Sequence, residues 1–302
     1  MSRRLALLTI ALFSLGTVTA SPAFAQVSNL GATAVASGQL SVAHGLAYAA
    51  RHDVYLMAYE SPSGVQGRFV NASGATVGNA FMIASTAGVA YVNKPMVAYS
   101  TDSADDVFFV MFATDRGKQF DGPPSAYIQR VTFTGSGGAL QGGPFLASDG
   151  VYELPNDIVF NPVTRQFVAV WERIFSAGAD VLLRFFNVNG TAAGSIVNVS
   201  NANWSQGAAK AAVDWQTNRI MVAYQGVHPN SPPSPEVLGL WAKIVDGSNG
   251  ALLTGLLTVQ NGFTIEPVSV FVPERDGFVV AWTGFTPGRD VQGRFVSSAT
   301  GA

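Results

Sequence analysis

An apolar run that ends in an aromatic residue recurs five times along this chain of 302 residues. The five runs occupy residues 55–59, 108–112, 167–171, 220–224 and 278–282. Their terminal aromatics fall at positions 59, 112, 171, 224 and 282, so successive copies are 53 to 59 residues apart. A period of this length is typical of repeat proteins, in which each repeat buries its apolar faces only against its neighbours.

Each run is the second of four short strands in a repeating unit. A shorter apolar stretch precedes it, and the strand that follows contains one basic residue, which is Arg68, Arg130, Arg184, Lys243 or Arg294. Next comes a turn with paired glycines, at Gly74/Gly78, Gly138/Gly142 and Gly190/Gly194, and then a last short strand. Strands of this length, divided by Gly, Asn, Asp and Pro, predict an antiparallel meander with very little helix.

Five such units around one axis make a five-bladed β-propeller, so the predicted fold class is all-β. Blades pack face to face, which explains why residues 108–112 are apolar without alternation. The fifth copy ends before its fourth strand, whereas residues 32–37 end in the same way as the fourth strands of earlier copies. We therefore predict that the N-terminal strand completes the last blade, and that deletion of residues 26–38 is damaging. An outer-membrane β-barrel and two stacked β-domains are the alternatives.

The N-terminus has the layout of a secretory signal peptide. Arg3 and Arg4 precede an uncharged apolar run, and the small residues Ala23 and Ala25 place the cleavage site after residue 25. The apolar run is too short to span a bilayer comfortably, and no later segment reaches the roughly 18 residues that a spanning helix needs. We expect residues 1–25 to be removed and residues 26–302 to form a single propeller domain, secreted or periplasmic.

The composition excludes several function classes. With 48% apolar and only 12% charged residues, the chain is predicted to bury a large core rather than to be disordered. A formal net charge of −2, with its basic residues scattered singly, argues against nucleic-acid binding. The absence of cysteine excludes disulfides, thiol catalysis and cysteine-ligated metal sites.

The repeat resembles the units of bacterial secreted β-propeller proteins. In those units a Trp precedes a D-[IV]-x-G-[QR]-[RF]-[FV] stretch, which is followed by a G-x(3)-G-x(2)-F turn. The resemblance covers nearly the whole mature chain and implies the propeller fold. That family is functionally mixed, so the resemblance implies no catalytic residues.

The connections between strands are where a binding site is expected. Aromatic residues recur in the loops between one unit and the next, at Tyr91, Tyr152, Trp204 and Phe263. Glu60 and Glu172 follow two of the anchoring aromatics, and His228 lies in a long, proline-rich loop. Aromatic rings beside polar groups favour sugar binding, because the apolar face of a sugar ring packs on an aromatic plane. The leading prediction is therefore a lectin-like, non-catalytic carbohydrate-binding propeller. The alternative role for these aromatics is to fill the spaces between blades.

Two other functions are the alternatives. A glycosidase-like enzyme would need one protonated and one ionised carboxyl group, for which Glu60, Glu172 and Asp115 are the candidates, with Asp53 and Asp157 as further ones. A protein–protein scaffold at the cell surface is the third reading. The five repeated basic residues are predicted to be structural, with their stems packed between blades.

We expect no metal site and no cofactor. The three histidines, His44, His52 and His228, lie in different turns, and no pair has the spacing of helical metal ligands. Calcium at the acidic turns of residues 102–106 and 274–277 is the alternative, although acidic residues in such positions are most often turn formers.

Overall fold

A computed structural model describes residues 44–89, 92–101, 104–115, 124–149, 152–176, 178–200, 205–227, 238–262, 264–284, 288 and 290–301. Within these ranges it contains nineteen strands and one short 3₁₀ helix, Pro273–Arg275. The strands of the first two units are β1 His44–Ala49, β2 Val54–Ser61, β3 Gly64–Asn71, β4 Thr76–Ser85, β5 Val92–Tyr99, β6 Phe108–Thr114, β7 Ser125–Phe133 and β8 Gly138–Leu146. Those of the third unit are β9 Glu153–Asn161, β10 Gln166–Phe175, β11 Gly178–Asn187 and β12 Ala192–Asn198. The remaining strands are β13 Gln206–Asp214, β14 Arg219–Val227, β15 Leu238–Asp246, β16 Leu257–Gln260, β17 Thr264–Val272, β18 Gly277–Gly284 and β19 Asp290–Ser297.

The strands form five antiparallel sheets in chain order, and each sheet is one blade. Blades 1 to 4 contain β1–β4, β5–β8, β9–β12 and β13–β16, and blade 5 contains β17–β19. The prediction of an all-β, five-bladed propeller is confirmed. The strand predicted at residues 32–37 and the signal peptide at 1–25 lie outside the described residues.

The apolar cores lie between blades. The first strands of successive blades contact one another in order, β1 with β5, β5 with β9, β9 with β13 and β13 with β17. Each interface contributes one apolar cluster that joins the facing sides of two neighbouring blades. Between blades 2 and 3, for example, the rings of Phe109 and Phe167 stack with their centroids 3.8 Å apart. Burial from both sides accounts for the continuous apolar runs in the sequence.

The paired glycines have a different role from the one predicted. The second glycine of each pair does not belong to the turn but lies inside the outermost strand, at Gly78 in β4, Gly142 in β8 and Gly194 in β12. All three have φ between 69° and 91°, and the pairing of the outermost strand with its neighbour shifts register beside each one. A glycine adopts this conformation without a steric penalty, so it produces a β-bulge that bends the outer strand.

Candidate functional site

Antiparallel pairing places the connections of each blade at two opposite ends. The strand 1–2 and strand 3–4 hairpins lie at one end, which we call the hairpin face. The strand 2–3 loops and the connections between blades lie at the other end, which we call the loop face. Of the predicted ligand-binding residues, Glu60, Tyr152 and Glu172 are among the described residues, and all three belong to the loop face.

The hairpin face is tied together by polar contacts between blades. The Nε2 atom of His52 in blade 1 lies 2.8 Å from both carboxylate oxygens of Asp106 in blade 2, and the Tyr99 hydroxyl donates to the same carboxylate at 2.8 Å. Blade 2 is joined to blade 3 by a two-point contact from Arg165 to Asp105, at 2.8 and 3.2 Å. Asn161 donates to Asn218 Oδ1 across blades 3 and 4, and Arg219 donates to the carbonyl of Ser298 across blades 4 and 5.

Every strand 1–2 hairpin also ends in a residue with a left-handed backbone. These residues are Asp53, Asp106, Arg165, Asn218 and Asp276, with φ between 42° and 55°. Asp and Asn tolerate this conformation better than most residues, which explains much of the acidity of these turns. The carboxylates of Asp105 and Asp106, at the turn for which calcium was the alternative, are paired with the protein's own donors. Across the described residues, no group of three or more His, Asp or Glu side chains lies close enough to hold a metal ion.

The side chain after the anchoring aromatic reaches the next blade in three of the five blades. Glu60 Oε1 accepts the backbone N–H of Lys94 in blade 2 at 2.8 Å, and Gln225 donates to the backbone carbonyl of Thr264 in blade 5. Glu172 Oε2 lies against the backbone of Gly207 in blade 4, so close that a Cβ atom on that glycine would be 2.1 Å away. These positions therefore help to hold neighbouring blades together.

The structure separates several residues that the sequence groups together. Glu60 and Glu172 occupy equivalent positions two blades apart, in β2 and β10. Asp53 lies on the hairpin face, where its carboxylate accepts the Tyr48 hydroxyl, and Asp115 is almost fully buried. Tyr152 is exposed on the loop face. Tyr91, Trp204, Phe263 and His228 lie outside the described residues.

Blade 3 contains a buried carboxylate that the sequence analysis missed. Glu153 is fully buried at the start of β9 and accepts hydrogen bonds from Trp171 Nε1 at 3.2 Å and from Arg173 Nε at 2.9 Å. The guanidinium of Arg173 also contacts the exposed carboxylate of Asp149. The equivalent first residues of the inner strands in other blades are Val92, Gln206 and Thr264. Because the equivalent positions hold such different residue types, the repeat pattern in the sequence does not reveal Glu153.

A second carboxylate of blade 3, Asp157, lies on the innermost strand between blades 3 and 4. Its two oxygens accept the backbone N–H groups of Ile158 and Ala211, at 3.0 and 2.9 Å. Nearby, Lys210 donates to the backbone carbonyl of Asn156 at 2.9 Å. Burial raises the pKa of Asp157 above its ordinary value, although the charge of Lys210 and the two N–H groups act in the opposite direction.

Asp157 and Glu172 project from the same side of blade 3. Asp157 is paired with Val170, and Glu172 follows two residues later on β10, so both side chains point toward β13. A bulge at Asn156 shifts the pairing of the preceding β9 residues by one, between Val170 and Trp171. Strand geometry places the two Cα atoms about 8 Å apart. Taken as whole residues, both are half-buried.

Comparisons with known proteins support the fold. No protein-family model matches the chain, and no curated protein is significantly similar to it in sequence. Among solved structures, it is similar to an endo-arabinase from Bacteroides thetaiotaomicron, at 7% identity and a TM-score of 0.53, over 84% of this chain and 93% of that one. It is also similar to the Dos1 propeller, at 10% identity and a TM-score of 0.51, over 82% of this chain and 53% of that one.

A thermostable family-43 glycoside hydrolase aligns over 85% of this chain and 91% of its own, at 9% identity and a TM-score of 0.47. At the identities of the endo-arabinase and the Dos1 propeller, the likeness is one of fold. Within the described part of the chain, no helix has the length and apolar character needed to cross a membrane.

Proposed function

We propose that this chain is an exported, carbohydrate-active β-propeller that hydrolyses glycosidic bonds, with Asp157 and Glu172 as its carboxylate pair. The observation that carries this proposal is their placement on one side of blade 3. Glycosidases need two carboxyl groups about 5 to 10 Å apart, one protonated and one ionised. The solved structures with a similar fold include an endo-arabinase, which makes polysaccharides the first substrates to test.

Asp157 and Glu172 have different environments, so we assign them different roles in the reaction. Because burial raises the pKa of Asp157, this residue is the candidate acid that protonates the leaving oxygen. Glu172 is the candidate base or nucleophile. The sign of the pH dependence follows: Asp157 must be protonated to act, so the rate should fall as the pH rises through the raised pKa of Asp157.

Hydrolysis is tested by release of reducing ends from a polysaccharide panel that begins with arabinan. Asp157→Asn and Glu172→Gln should each lower kcat by about 100-fold or more. The matched control is Glu60→Gln, which changes the same position in blade 1 and should keep its activity. Inactivity of the unaltered protein across the panel would remove the proposal. Equal activity of Glu172→Gln and Glu60→Gln would remove Glu172 from the pair.

A second candidate is carbohydrate binding without hydrolysis. It is favoured by one observation, that both oxygens of Asp157 already accept backbone hydrogen bonds, and the one from Ala211 helps to join blades 3 and 4. Calorimetry with the same panel distinguishes the two functions. Binding without release of reducing ends supports this second candidate, and binding with release supports the first.

Export is part of the proposal and rests on the N-terminal 25 residues alone. Expression of the full chain in a bacterial host, followed by fractionation and mass determination, tests it. We expect the protein outside the cytoplasm, with Gln26 as its first residue. A full-length cytoplasmic product would contradict export without affecting the proposed site.

A further inference from the structure

The ammonium group of Lys210 lies where three blades meet. Its Nζ atom donates to the backbone carbonyl of Asn156 in blade 3 at 2.9 Å and lies 3.9 Å from the Sδ atom of Met96 in blade 2. Blade 3 separates blade 2 from blade 4, so a side chain of blade 4 can reach Met96 only along the inner side of the ring, where the first strands contact one another. The Lys210 ammonium therefore lies near the axis of the propeller.

Each of these residues lies at a break in the strand pairing. In blade 2 the pairing of β5 with β6 is interrupted between Asn93 and Met96, and in blade 4 that of β13 with β14 is interrupted between Gly207 and Lys210. In blade 3 the bulge is Asn156 itself. A bulge bends its strand and changes the direction of the side chains beside it. The bulges of three blades thus contribute to one cluster at the axis.

The fold does not require a cation at the position of Lys210. Lys210 is paired with the residue that precedes the anchoring aromatic of its blade. The residues with the same pairing in the five blades are Gly45, Met96, Asp157, Lys210 and Val268. The basic residues that do recur in the repeat belong to the third strands, as Lys243 does in blade 4. A cation at one of five equivalent positions needs an explanation other than the repeat.

No carboxylate of the described residues forms an ion pair with Lys210, although the residue is half-buried. Partial burial of a charge is costly unless the charge is paired. An ammonium group has three N–H donors. The carbonyl of Asn156 and the weakly accepting sulfur of Met96 occupy two of them, which leaves one for a ligand.

The two acids of the proposed catalytic pair lie nearby but do not neutralise this charge. Asp157 already accepts two backbone N–H groups, and as the acid of the proposed reaction it is uncharged when it acts. Glu172 lies against the backbone of Gly207, three residues before Lys210. An anionic group of a ligand would therefore supply the partner that Lys210 lacks among the described residues.

We propose that Lys210 binds the carboxylate of a uronic acid unit, so that the polysaccharides recognised at the axis are acidic. The remaining N–H of the ammonium would donate to the carboxylate in a charge-assisted hydrogen bond. In a uronic acid the carboxylate is attached to the carbon next to the ring oxygen, so it stays close to the glycosidic carbon on which the catalytic pair would act. The assignment to a polysaccharide rests on the proposed function, whereas binding of a carboxylate by Lys210 does not.

The test is calorimetric binding of uronic acid polymers, beginning with polygalacturonate, each compared with its methyl-esterified form, which has the same backbone without the charge. The unaltered protein should bind the acidic form with a Kd at least about tenfold lower, and Lys210→Met should abolish this preference. The matched control is Lys243→Met. Lys243 is also half-buried and also donates to a backbone carbonyl, that of Ser200, but it lies on a third strand. Its loss should leave the preference within about twofold.

Two further measurements distinguish recognition from folding. Lys210→Arg retains the charge and should therefore retain a preference for the acidic form. In the unaltered protein, this preference should decrease as the salt concentration rises from about 0.05 M to about 0.5 M, because ions screen the charge. Equal binding of the acidic and esterified forms of every polymer by the unaltered protein overturns the proposal, and so does a preference that Lys210→Met retains. Binding of free galacturonic acid as tightly as its polymer removes the polysaccharide as the ligand.

The two proposals fail in different ways. A preference for acidic polymers that depends on Lys210, without any hydrolysis, supports the carboxylate site and removes the hydrolase. Hydrolysis that depends on Asp157 and Glu172, with equal binding of acidic and esterified polymers, supports the hydrolase and removes the carboxylate site.

Discussion

The second strands of the middle blades and of the terminal blades are buried differently, although their sequences are equally apolar. Residues 108–112 of blade 2, 167–171 of blade 3 and 220–224 of blade 4 are buried without interruption. In β2 of blade 1 and β18 of blade 5, buried and half-buried residues alternate instead. A middle blade is covered on both faces by its neighbours, whereas each terminal blade is covered on one face by described residues.

The uncovered faces are apolar and belong to the same joint of the ring. Leu46 and Tyr48 of blade 1 point away from blade 2, and Val268 and Val270 of blade 5 point away from blade 4. All four are at least 40% exposed. We call the joint between blades 5 and 1 the seam. Its apolar surfaces indicate that burial there is required even though the described residues do not provide it.

The largest effect is expected from removing the segment that precedes β1. Deletion of residues 26–38 should lower the free energy of unfolding by more than about 5 kcal/mol, a large part of the stability of an ordinary domain. Removal of residues 301 and 302 at the other terminus is the control and should cost less than about 1 kcal/mol. Denaturation by urea measures both. Equal, small losses would show that the N-terminal segment does not cover the seam.

A pair of methionine substitutions compares the two kinds of blade directly. Met111 is fully buried between blades 2 and 3, so Met111→Ala should cost about 3 kcal/mol. Met57 lies on the half-buried side of β2, which faces the seam. If residues 26–38 cover that face, Met57→Ala should also cost about 3 kcal/mol in the mature chain, and less than about 1 kcal/mol once those residues are deleted. A loss below about 1 kcal/mol in the undeleted chain would contradict coverage of the seam.

The contact between blades 1 and 2 on the hairpin face should depend on pH. Burial by itself would raise the pKa of Asp106, but hydrogen bonds from His52 and Tyr99, with Arg51 nearby, outweigh it and lower the pKa. A lowered pKa contributes stability that is present above the ordinary carboxyl value near 4 and is lost as the pH falls through the lowered value.

Asp106→Asn should therefore cost about 1.5 kcal/mol at pH 7 and much less at low pH, where the carboxylate is already protonated. Asp53→Asn, at the equivalent hairpin position of blade 1, is the control, because its carboxylate accepts the Tyr48 hydroxyl alone among the hydrogen bonds described. Urea denaturation at several pH values between 3 and 7 measures the difference. Parallel curves for the two variants would contradict the assignment to Asp106.

The smallest effect is expected where blade 4 meets blade 5 at the surface. Trp215 contacts Phe271 edge to face, with the ring centroids 4.9 Å apart, but remains half exposed. Trp215→Ala should cost about 0.5 to 1 kcal/mol, as is usual for a partly exposed aromatic pair. A loss above about 2 kcal/mol in thermal denaturation would show that the terminal blade depends on this contact more than its exposure indicates.

Most of the fold is predictable from the repeat. Four-stranded units that pack face to face require apolar runs at a fixed spacing in the sequence, and these runs are visible without a structure. The bulges were not predictable from periodicity. Gly78 and Gly142 looked like turn residues, since a glycine that bends a strand and a glycine that closes a turn use the same backbone freedom.

The candidate site was predictable only in part. The sequence indicates Tyr152 and Glu172, because aromatic and acidic residues recur at their positions in the repeat. It includes Asp157 only among the further carboxylate candidates. Their neighbours depend on contacts between blades that are far apart in sequence. Asp157, for example, accepts the backbone N–H of Ala211, which lies 54 residues further along the chain. Glu153 and Lys210 have no counterpart in the other repeats, so the repeat does not predict which residues lie beside them.

The polar contacts of the hairpin face form links in series. They connect blade 1 to blade 2, then 2 to 3, 3 to 4 and 4 to 5. Among the described residues this series does not include the seam, so hydrogen bonds of this kind oppose a fluctuation that separates two blades least at that joint. Amide hydrogen exchange and limited proteolysis should therefore begin at β1 and β17, and the inner strands of blades 2 to 4 should exchange last.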